Sequence, residues 1–578
     1  MTRLYDDPAT FTEDMLVGFL DANARYVVGV PGGVVRANTT RPGKVAVVIG
    51  GGSGHYPAFC GVVGQGFADG AVVGNVFTSP SAAEAASVGR AADGGAGVLL
   101  TTGNYAGDVM NFGLAVERLR AEGIDARYVP VTDDVASAPI AEQAKRRGIA
   151  GDFTVFKAAS AAAEEGYDLD EVERVALHAN DRTRTLGVAF DGCTLPGADA
   201  PLFTVPVGKM GLGLGIHGEP GVAEEPMPTA AELAGTLVDG LLKEAPEGGG
   251  NRVAVILNGL GRTKYEELFI LWSRAARLLR DAGLEIIEPE VGELVTSLDM
   301  AGCSLTLMWL DEELERLWRA PADTPAYRKG ATGSPPEKGG RRTAGEARAA
   351  ASPRSVGATG EVGEEALRCA ATVVTALEAM ASTVAEAEAE LGRVDAVAGD
   401  GDHGRGMVRG TAAAVDSARE TSAHGSGPGS VLVAAGDAWA SKAGGTSGVL
   451  WGAALTAFGN RLGDEKAPAA GDVAAGVRDG YEALVRLGGA QPGDKTMLDA
   501  LLPFVEELCG RVEQGSDLRS AWLAAAATAE EAAEATAGLR PRVGRARPLA
   551  ERSVGTPDAG ALSLAMCVRS VARVLPSA

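Results

Sequence analysis

Three carboxylates, Asp395, Asp400 and Asp402, stand close together in the run Asp-Ala-Val-Ala-Gly-Asp-Gly-Asp-His-Gly. Hard cations take several oxygen ligands, and Mg2+ is usually held by a few carboxylates together with phosphate oxygens. Gly399, Gly401 and Gly404 supply the backbone freedom to turn three side chains onto one point. A solvated acidic turn would carry the same residues, and spacing alone leaves both readings open. An EF-hand is excluded, because no Glu stands where its twelfth ligand should be.

Histidine occurs five times, and His55, His217 and His403 each sit inside a glycine-rich loop. One such histidine would most simply be structural. Three together point to function, because loops carried by a rigid scaffold are where binding residues gather. Two further loops have phosphate-binding character. Gly444-Gly-Thr-Ser-Gly448 lies between apolar helical stretches, where the free N–H groups of a helix start can hold an anion. Gly488 to Met497 ends in Gly-Asp-Lys-Thr-Met, and Arg545 and Asp558-Ala-Gly560 follow later. No G-x-x-x-x-G-K-S/T occurs, which excludes a P-loop but not a phosphate site. Gly213, Gly215 and Gly218 formally satisfy G-x-G-x-x-G, yet the match runs into Glu-Pro-Gly instead of opening a helix, so no Rossmann site is read from it.

These loops need elements to carry them. From Lys44 the chain reads Val-Ala-Val-Val-Ile, a buried strand of parallel type, and runs into Gly50–His55. Further strands are predicted at Ala71–Val73, Val98–Thr102 and Ala126–Val131. After the third strand, Gly103–Asp108 leads into a helix carrying Phe112, Ala115, Val116 and Leu119 and stopping at Gly123. Strands alternating with helices imply an α/β domain with a mostly parallel sheet, whose ligands sit beyond the strand carboxyl ends. The loops at Gly50–His55 and Gly103–Asp108 are therefore expected to face one pocket. A second α/β segment is expected from about Thr185 to Trp318, with His217 inside it. From Glu361 the texture is helical to the end. Leu367, Ala370, Val374, Leu377, Ala381, Val384 and Leu391 repeat at helical spacing, and Asp395–Gly404 breaks that helix from the next, since Asp and Gly disfavour helix interiors.

A chain of 578 residues exceeds one hydrophobic core, so about two to four domains are expected. With 53 Lys and Arg against 76 Asp and Glu the net charge is −23, which disfavours nucleic acid or an anionic membrane surface as partner. The first 25 residues lack an apolar signal region, and no uninterrupted apolar run approaches the ~20 residues that span a bilayer. Cys60, Cys193, Cys303, Cys369, Cys509 and Cys567 are scattered singly, with no metal spacing, and read as buried thiols in a reducing cytoplasm. Between 328 and 360 seven basic residues face only Glu337 and Glu346, without periodicity. That stretch reads as a flexible linker between domains at 1–327 and 361–578.

The motifs GGGSGH, NYxGDxxNF, GxGIHGEPG, DGDHG, GGTSG, GDKTMLDAL and GRARPLAERSVG occur in that order. In them the chain resembles the single-chain, ATP-dependent dihydroxyacetone kinases, which fuse a substrate-binding K domain to a nucleotide-binding L domain. The resemblance covers nearly the whole length and fails only in the linker. It implies an α/β module of two subdomains, usually dimeric through that module, joined to an all-α helical barrel. It also implies transfer of a phosphoryl group from ATP to a short-chain ketose. His217 matches the histidine that forms a covalent hemiaminal with the ketone, which polyols such as glycerol cannot do. Asp108 matches the acid that takes the proton of the attacking hydroxyl, and His55 its hydrogen-bonding partner. Gly52, Ser53 and Gly54 match the backbone cradle, and Gly103 stands beside the substrate. Asp395, Asp400 and Asp402 match the ligands of two Mg2+ ions bridged by ATP phosphates. His403, Gly404, Arg405, Gly406, Thr446, Ser447, Gly488, Met497, Arg545, Asp558, Ala559 and Gly560 match the nucleotide-binding positions. The linker is then expected to let the nucleotide-bearing half reach the substrate-bearing half.

Three positions depart from the family pattern. Gly103 stands where a lysine is usual, Tyr56 where a glutamate is usual, and Ala559 where a proline is usual. Losing the lysine removes a charged donor and leaves volume, which favours a four-carbon ketose, erythrulose, over dihydroxyacetone. Tyr56 is expected to supply a donor for the extra hydroxyl. Two other activities occur among relatives of these domains, an FAD-cyclising lyase using Mn2+ at the same nucleotide site and a non-enzymatic regulator. His217 and three intact aspartates in one chain argue against the regulator.

Overall fold

The computed structural model describes residues 2–331, 340–351, 362–399, 401–543 and 550–576. They form two compact units, Met1–Arg354 and Ser355–Ala578.

The first unit contains two six-stranded sheets. One holds β1 (Val27–Val30), β2 (Gly33–Arg36), β3 (Ala46–Ser53), β4 (Gly70–Val76), β5 (Val98–Gly103) and β6 (Ala126–Val131), in the order β1-β2-β4-β3-β5-β6. From β4 to β6 neighbouring strands are parallel, as their continuous apolar runs require, and β1 and β2 form an antiparallel edge. Successive residues serve opposite faces. Ala46, Val48 and Leu100 pack with the helices Ala82–Ala92 and Ala106–Ala121, while Val47, Ile49 and Leu99 pack with Asp152–Glu165 and Leu169–Arg182. The carboxyl ends of β3 and β5, adjacent and parallel, thus deliver their loops to one edge.

The second sheet holds β7 (Thr183–Asp191), β8 (Lys209–Leu212), β9 (Ala223–Pro226), β10 (Arg252–Gly259), β11 (Glu285–Gly292) and β12 (Ala301–Trp309), in the order β11-β10-β12-β7-β8-β9. Only β10 and β11 are parallel. The G-x-G-x-x-G match falls in the turn between antiparallel β8 and β9, with no helix start behind it, in keeping with its rejection as a Rossmann site.

The expectation of a flexible linker over 328–360 fails for the described part of that stretch. Arg328–Lys329 pairs with Ala322–Asp323, and Arg341 bridges Asn38. Ala344–Ala351 is a helix whose Ala347 and Ala351 are buried in the same cluster as residues of Ala82–Ala92. The basic residues that suggested a solvated tether are put to use locally: Arg341 donates to the carbonyl of Ala24, and Arg342 to that of Ala91. Residues 332–339 and 352–361 lie outside the described residues.

The second unit is all-α. Eight long helices are described: Glu364–Asp395, His403–Ala423, Pro428–Ala443, Gly445–Leu462, Ala470–Gly488, Leu498–Glu513, Leu518–Ala535 and Ala559–Val574. Each packs on the next and the last packs on the first, which closes a barrel. Inside is an apolar cavity of about 290 Å3, walled by residues such as Leu377, Trp451, Phe504 and Trp522. Glu364–Asp395 is the one described helix long and apolar enough to cross a membrane by length and composition, and its Leu377, Met380 and Val384 belong to the barrel core.

Candidate active site

The first unit gathers residues from three loops. β3 ends in Ser53, whose Oγ lies 3.1 Å from Thr12 Oγ1, and Gly54 follows with its carbonyl accepting from Leu298 N. Gly52 lies against the backbone of Phe77 and Thr78, where a Cβ would come within 2.6 Å of an amide nitrogen. His55 is buried and donates Nδ1–H to the carbonyl of Thr296 at 2.7 Å. Its Nε2 stands 3.0 Å from Nε2 of His217, which comes from the β8–β9 loop. Phe77 stacks on His55 at 5.1 Å, and Tyr105 meets the His217 ring edge-on at 4.8 Å. Asp108, in the first turn of Ala106–Ala121, is buried. The three proposed catalytic residues, separated by up to 162 positions between His55 and His217, are thus neighbours.

His217 is held by a residue that the sequence did not single out. Glu219 Oε1 accepts from His217 Nδ1 at 2.9 Å, and its Oε2 accepts from the His217 amide at 3.0 Å. Burial alone would raise the Glu219 carboxyl, but His217 and then Arg147 hold it below the usual carboxylate range. Arg147 is itself anchored on Asp134 at 2.8 Å. Gly215 leaves room for this carboxylate, because a Cβ there would fall 2.0 Å from Glu219 Oε2 and push it aside.

Hydrogen-bond roles follow from the acceptors. A carbonyl and an ionised carboxylate can only accept, so both histidines carry hydrogen on Nδ1. A 3.0 Å contact between their two Nε2 atoms then requires one shared proton. Burial, and next the charge of His217, push His55 down to about 3. Asp108 is pushed up to about 7 by burial, opposed by the Ser79 hydroxyl and by His217. A carboxylate near 7 is well matched to general-base work at neutral pH.

The volume expected at Gly103 is occupied. A Cβ there would stand 3.0 Å from the Tyr105 ring, 3.1 Å from the Gly148 carbonyl and 3.2 Å from Asp152 Oδ2. Tyr56 has no hydrogen bond to His55, His217 or Asp108 among the described residues. Its ring is half-exposed and packs edge-on to Phe19 and against Gly61.

The second unit brings its loops to one end of the barrel. Asp395 accepts from Gly401 N at 2.9 Å and from His403 N at 3.4 Å, which folds the acidic stretch back on the helix it ends. Asp402 caps the next helix by position, and His403 Nε2 lies 2.9 Å from Ser563 Oγ in the last helix. Gly404 lies so close to the Glu388 carbonyl that a Cβ would reach 2.1 Å, while Arg405 is exposed and Gly406 faces the Ala443 carbonyl. Thr446 and Ser447 are exposed in the first turn of Gly445–Leu462, which has no side-chain cap, so its first N–H groups are open to an anion. Gly488 ends the helix Ala470–Gly488 and faces Leu450 of Gly445–Leu462. Asp558 caps Ala559–Val574 through Ala561 N at 2.8 Å, with Gly560 next to Met497. Burial, Asp499 and Asp395 push the Asp558 carboxyl up to about 6, against Lys495. Mutually repelling carboxylates beside a bare helix start are a hard-oxygen donor set that suits Mg2+ and phosphate. Among the described residues no three His, Cys, Asp or Glu side chains close on a point; Asp400 and Arg545 lie outside the described residues.

Fold and site together define a two-part enzyme, an α/β module with a histidine–carboxylate centre and a helical barrel with acidic and glycine-rich loops at one end. The Dak1 domain family matches residues 17–326 and the DAK2 domain family residues 397–573, and the chain belongs to the dihydroxyacetone kinase family in its single-chain form. It is 72% identical over 573 residues to a D-erythrulose kinase of Mycolicibacterium smegmatis, covering 99% of this chain and 98% of that one. It is 56% identical over 581 residues to an L-erythrulose kinase of Pectobacterium atrosepticum, covering 100% and 97%. A crystal structure of the dihydroxyacetone kinase from C. freundii in complex with AMP-PNP and Mg2+ matches with a TM-score of 0.52 at 30% identity, covering 99% of each chain.

Proposed function

We propose that this chain transfers the terminal phosphoryl group of ATP to a terminal hydroxyl of a four-carbon ketose. D-Erythrulose, named for the relative at 72% identity, is the first candidate, and dihydroxyacetone the shorter alternative. The observation that carries this reading is the His217 geometry. Glu219 occupies Nδ1, so Nε2 is the ring nitrogen left to meet a carbonyl; His55 stands 3.0 Å from it, and Asp108 is close enough to feel the charge of His217.

The steps follow from these residues. His217 Nε2 bonds to the ketone carbon as the C=O π pair moves to oxygen. The proton shared between the two rings passes through His55 to that oxygen and completes the hemiaminal hydroxyl. The alkylated ring stays cationic beside Glu219, so one positive ring and one carboxylate are present before and after. Held in this way, the ketose presents a terminal hydroxyl whose proton Asp108 accepts. Asp395, Asp400 and Asp402 would hold two Mg2+ ions, with the His403–Gly406, Thr446–Ser447, Gly488, Met497, Arg545 and Asp558–Gly560 positions around the nucleotide. When bound, Mg2+–ATP supplies the phosphoryl group and neutralises its charge. The substrate half spans 1–327 and the nucleotide half 361–578 in this reading. It also includes a cytoplasmic homodimer formed through the substrate half, for which Tyr265, Phe269 and Ile270, exposed on one helix, offer an apolar patch.

Coupled ADP release with D- and L-erythrulose, dihydroxyacetone, glyceraldehyde and glycerol tests the proposal. Highest kcat/KM for an erythrulose and background turnover of glycerol are expected. Efficient glycerol phosphorylation would overturn it.

A further inference from the structure

Four buried polar atoms in one neighbourhood of the first unit have no hydrogen-bond partner: Tyr105 Oη, Asp108 Oδ1, Asn111 Oδ1 and Asp152 Oδ1. Buried polar atoms are nearly always paired, so a group of orphans marks a place where the partner arrives with the ligand. The neighbourhood is continuous. Asn111 donates to Ser79, which also bonds Asp108. Tyr105 lies edge-on to His217. Asp152 Oδ2 and Tyr105 Cε2 converge on the face of Gly103, within 3.2 Å of where its Cβ would stand.

The phosphoryl-transfer steps above use His217 and Asp108 and leave Asp152 without a task. It opens the helix Asp152–Glu165 and is only 4% exposed, an expensive place for a carboxyl group with an unpaired oxygen. Burial first, then the carboxylates of Asp133 and Asp108, hold it well above the usual range. A carboxyl group accepts through either oxygen and, in its protonated form, also donates. Asp152 Oδ2 also lies 3.2 Å from where a Cβ at position 103 would stand, so any side chain there would meet this carboxyl group.

We propose that Asp152, flanked by Tyr105 and admitted by Gly103, recognises the additional hydroxyl that a four-carbon ketose has and dihydroxyacetone lacks. Asp152 is thereby a specificity-determining residue of the ketose site. This rests on the ketose-kinase reading.

The readout is the ratio of kcat/KM for erythrulose to kcat/KM for dihydroxyacetone, which a general loss of activity leaves unmoved. Loss of one buried hydrogen bond should lower that ratio roughly ten- to hundredfold in Asp152→Ala. Asp152→Asn, still a donor and acceptor, should restore most of it. Asp152→Ser serves as the loss variant if Asp152→Ala does not fold, as judged by circular dichroism. An unchanged ratio in a folded loss variant overturns the proposal, as does an equal fall of the ratio in Asp152→Asn. If the native protein phosphorylates neither ketose, the kinase reading itself has failed, an outcome distinct from an unchanged ratio.

Discussion

Replacing Glu219 by Gln probes the centre with almost no change of shape. The native carboxylate accepts two bonds from His217, one from Nδ1 at 2.9 Å and one from the backbone amide at 3.0 Å. Hydrogen bonds to a charged group contribute about 1.5–3 kcal/mol each. The two bonds use different oxygens and glutamine has only one, so one of them is lost whichever way the side-chain amide turns, and the other becomes neutral. The paired cationic ring also loses its counter-charge. A net cost of about 2–3 kcal/mol is therefore expected, or roughly 30- to 150-fold in kcat/KM. A further loss follows if the new NH2 group turns toward Nδ1, because the ring would then carry its hydrogen on Nε2, the wrong nitrogen for attack. A wrong tautomer of this kind costs about 10⁴-fold in a serine protease whose aspartate is changed to asparagine. The assay is coupled ADP release with saturating Mg2+–ATP, alongside melting temperature to exclude unfolding. Glu219→Gln within threefold of native, in a folded protein, would refute the assignment of Nε2 as the nucleophile.

Other outcomes follow from the same geometry. Because Asp108 titrates near 7 and acts as its ionised form, kcat/KM should rise with pH through about 7 and then level, and Asp108→Asn should be slow and flat across that range. The same group works against stability: its unfolded carboxyl ionises near 4, so its contribution falls as pH rises from about 4 to 7, and Asp108→Asn should be the more stable protein at pH 8. Asp395→Asn should lower turnover by orders of magnitude and raise the Mg2+ concentration needed for half-maximal rate, with the helical content unchanged by circular dichroism. In Gly103→Lys the new Cβ meets three neighbours at 3.0–3.2 Å, so a destabilisation of about 1–3 kcal/mol is expected on thermal unfolding. The new ammonium would lie against Asp152, and preference should move towards dihydroxyacetone, as measured by the kcat/KM ratio.

The sequence made the scaffold of the first sheet readable, because Val45–Ile49 and Val98–Leu100 are runs that only a strand buried on both faces explains. His55 and His217 stood out through their glycine-rich settings, and Asp108 through the resemblance to the kinase family. The antiparallel second sheet was not readable, since its strands alternate with helices much as parallel ones do and pairing is decided by tertiary contact. Glu219 was missed although it stands two residues after His217, because a carboxylate in a Gly-Glu-Pro-Gly turn looks like surface until its bond to the ring is seen. Asp152 and Tyr105 gave no signal either: an acid at a helix start is ordinary capping chemistry. The linker reading failed because Arg341 and Arg342 bond to backbone carbonyls, a use that composition cannot distinguish from solvation. Tyr56 was assigned from its place in the chain, while its ring turns to Phe19. In the helical half, the periodicity from Leu367 to Leu391 gave the helix, but nothing local announced that the last helix would close on the first.

The central claim is the covalent bond between His217 Nε2 and the ketose carbonyl carbon. Carbon NMR of a ketose labelled at its carbonyl, bound to protein labelled with nitrogen-15 in histidine, tests it directly. A tetrahedral carbon coupled through one bond to an imidazole nitrogen is expected with native protein, and its loss in His217→Ala. A bound ketose that keeps its carbonyl resonance while the enzyme is saturated and turning over would contradict the account.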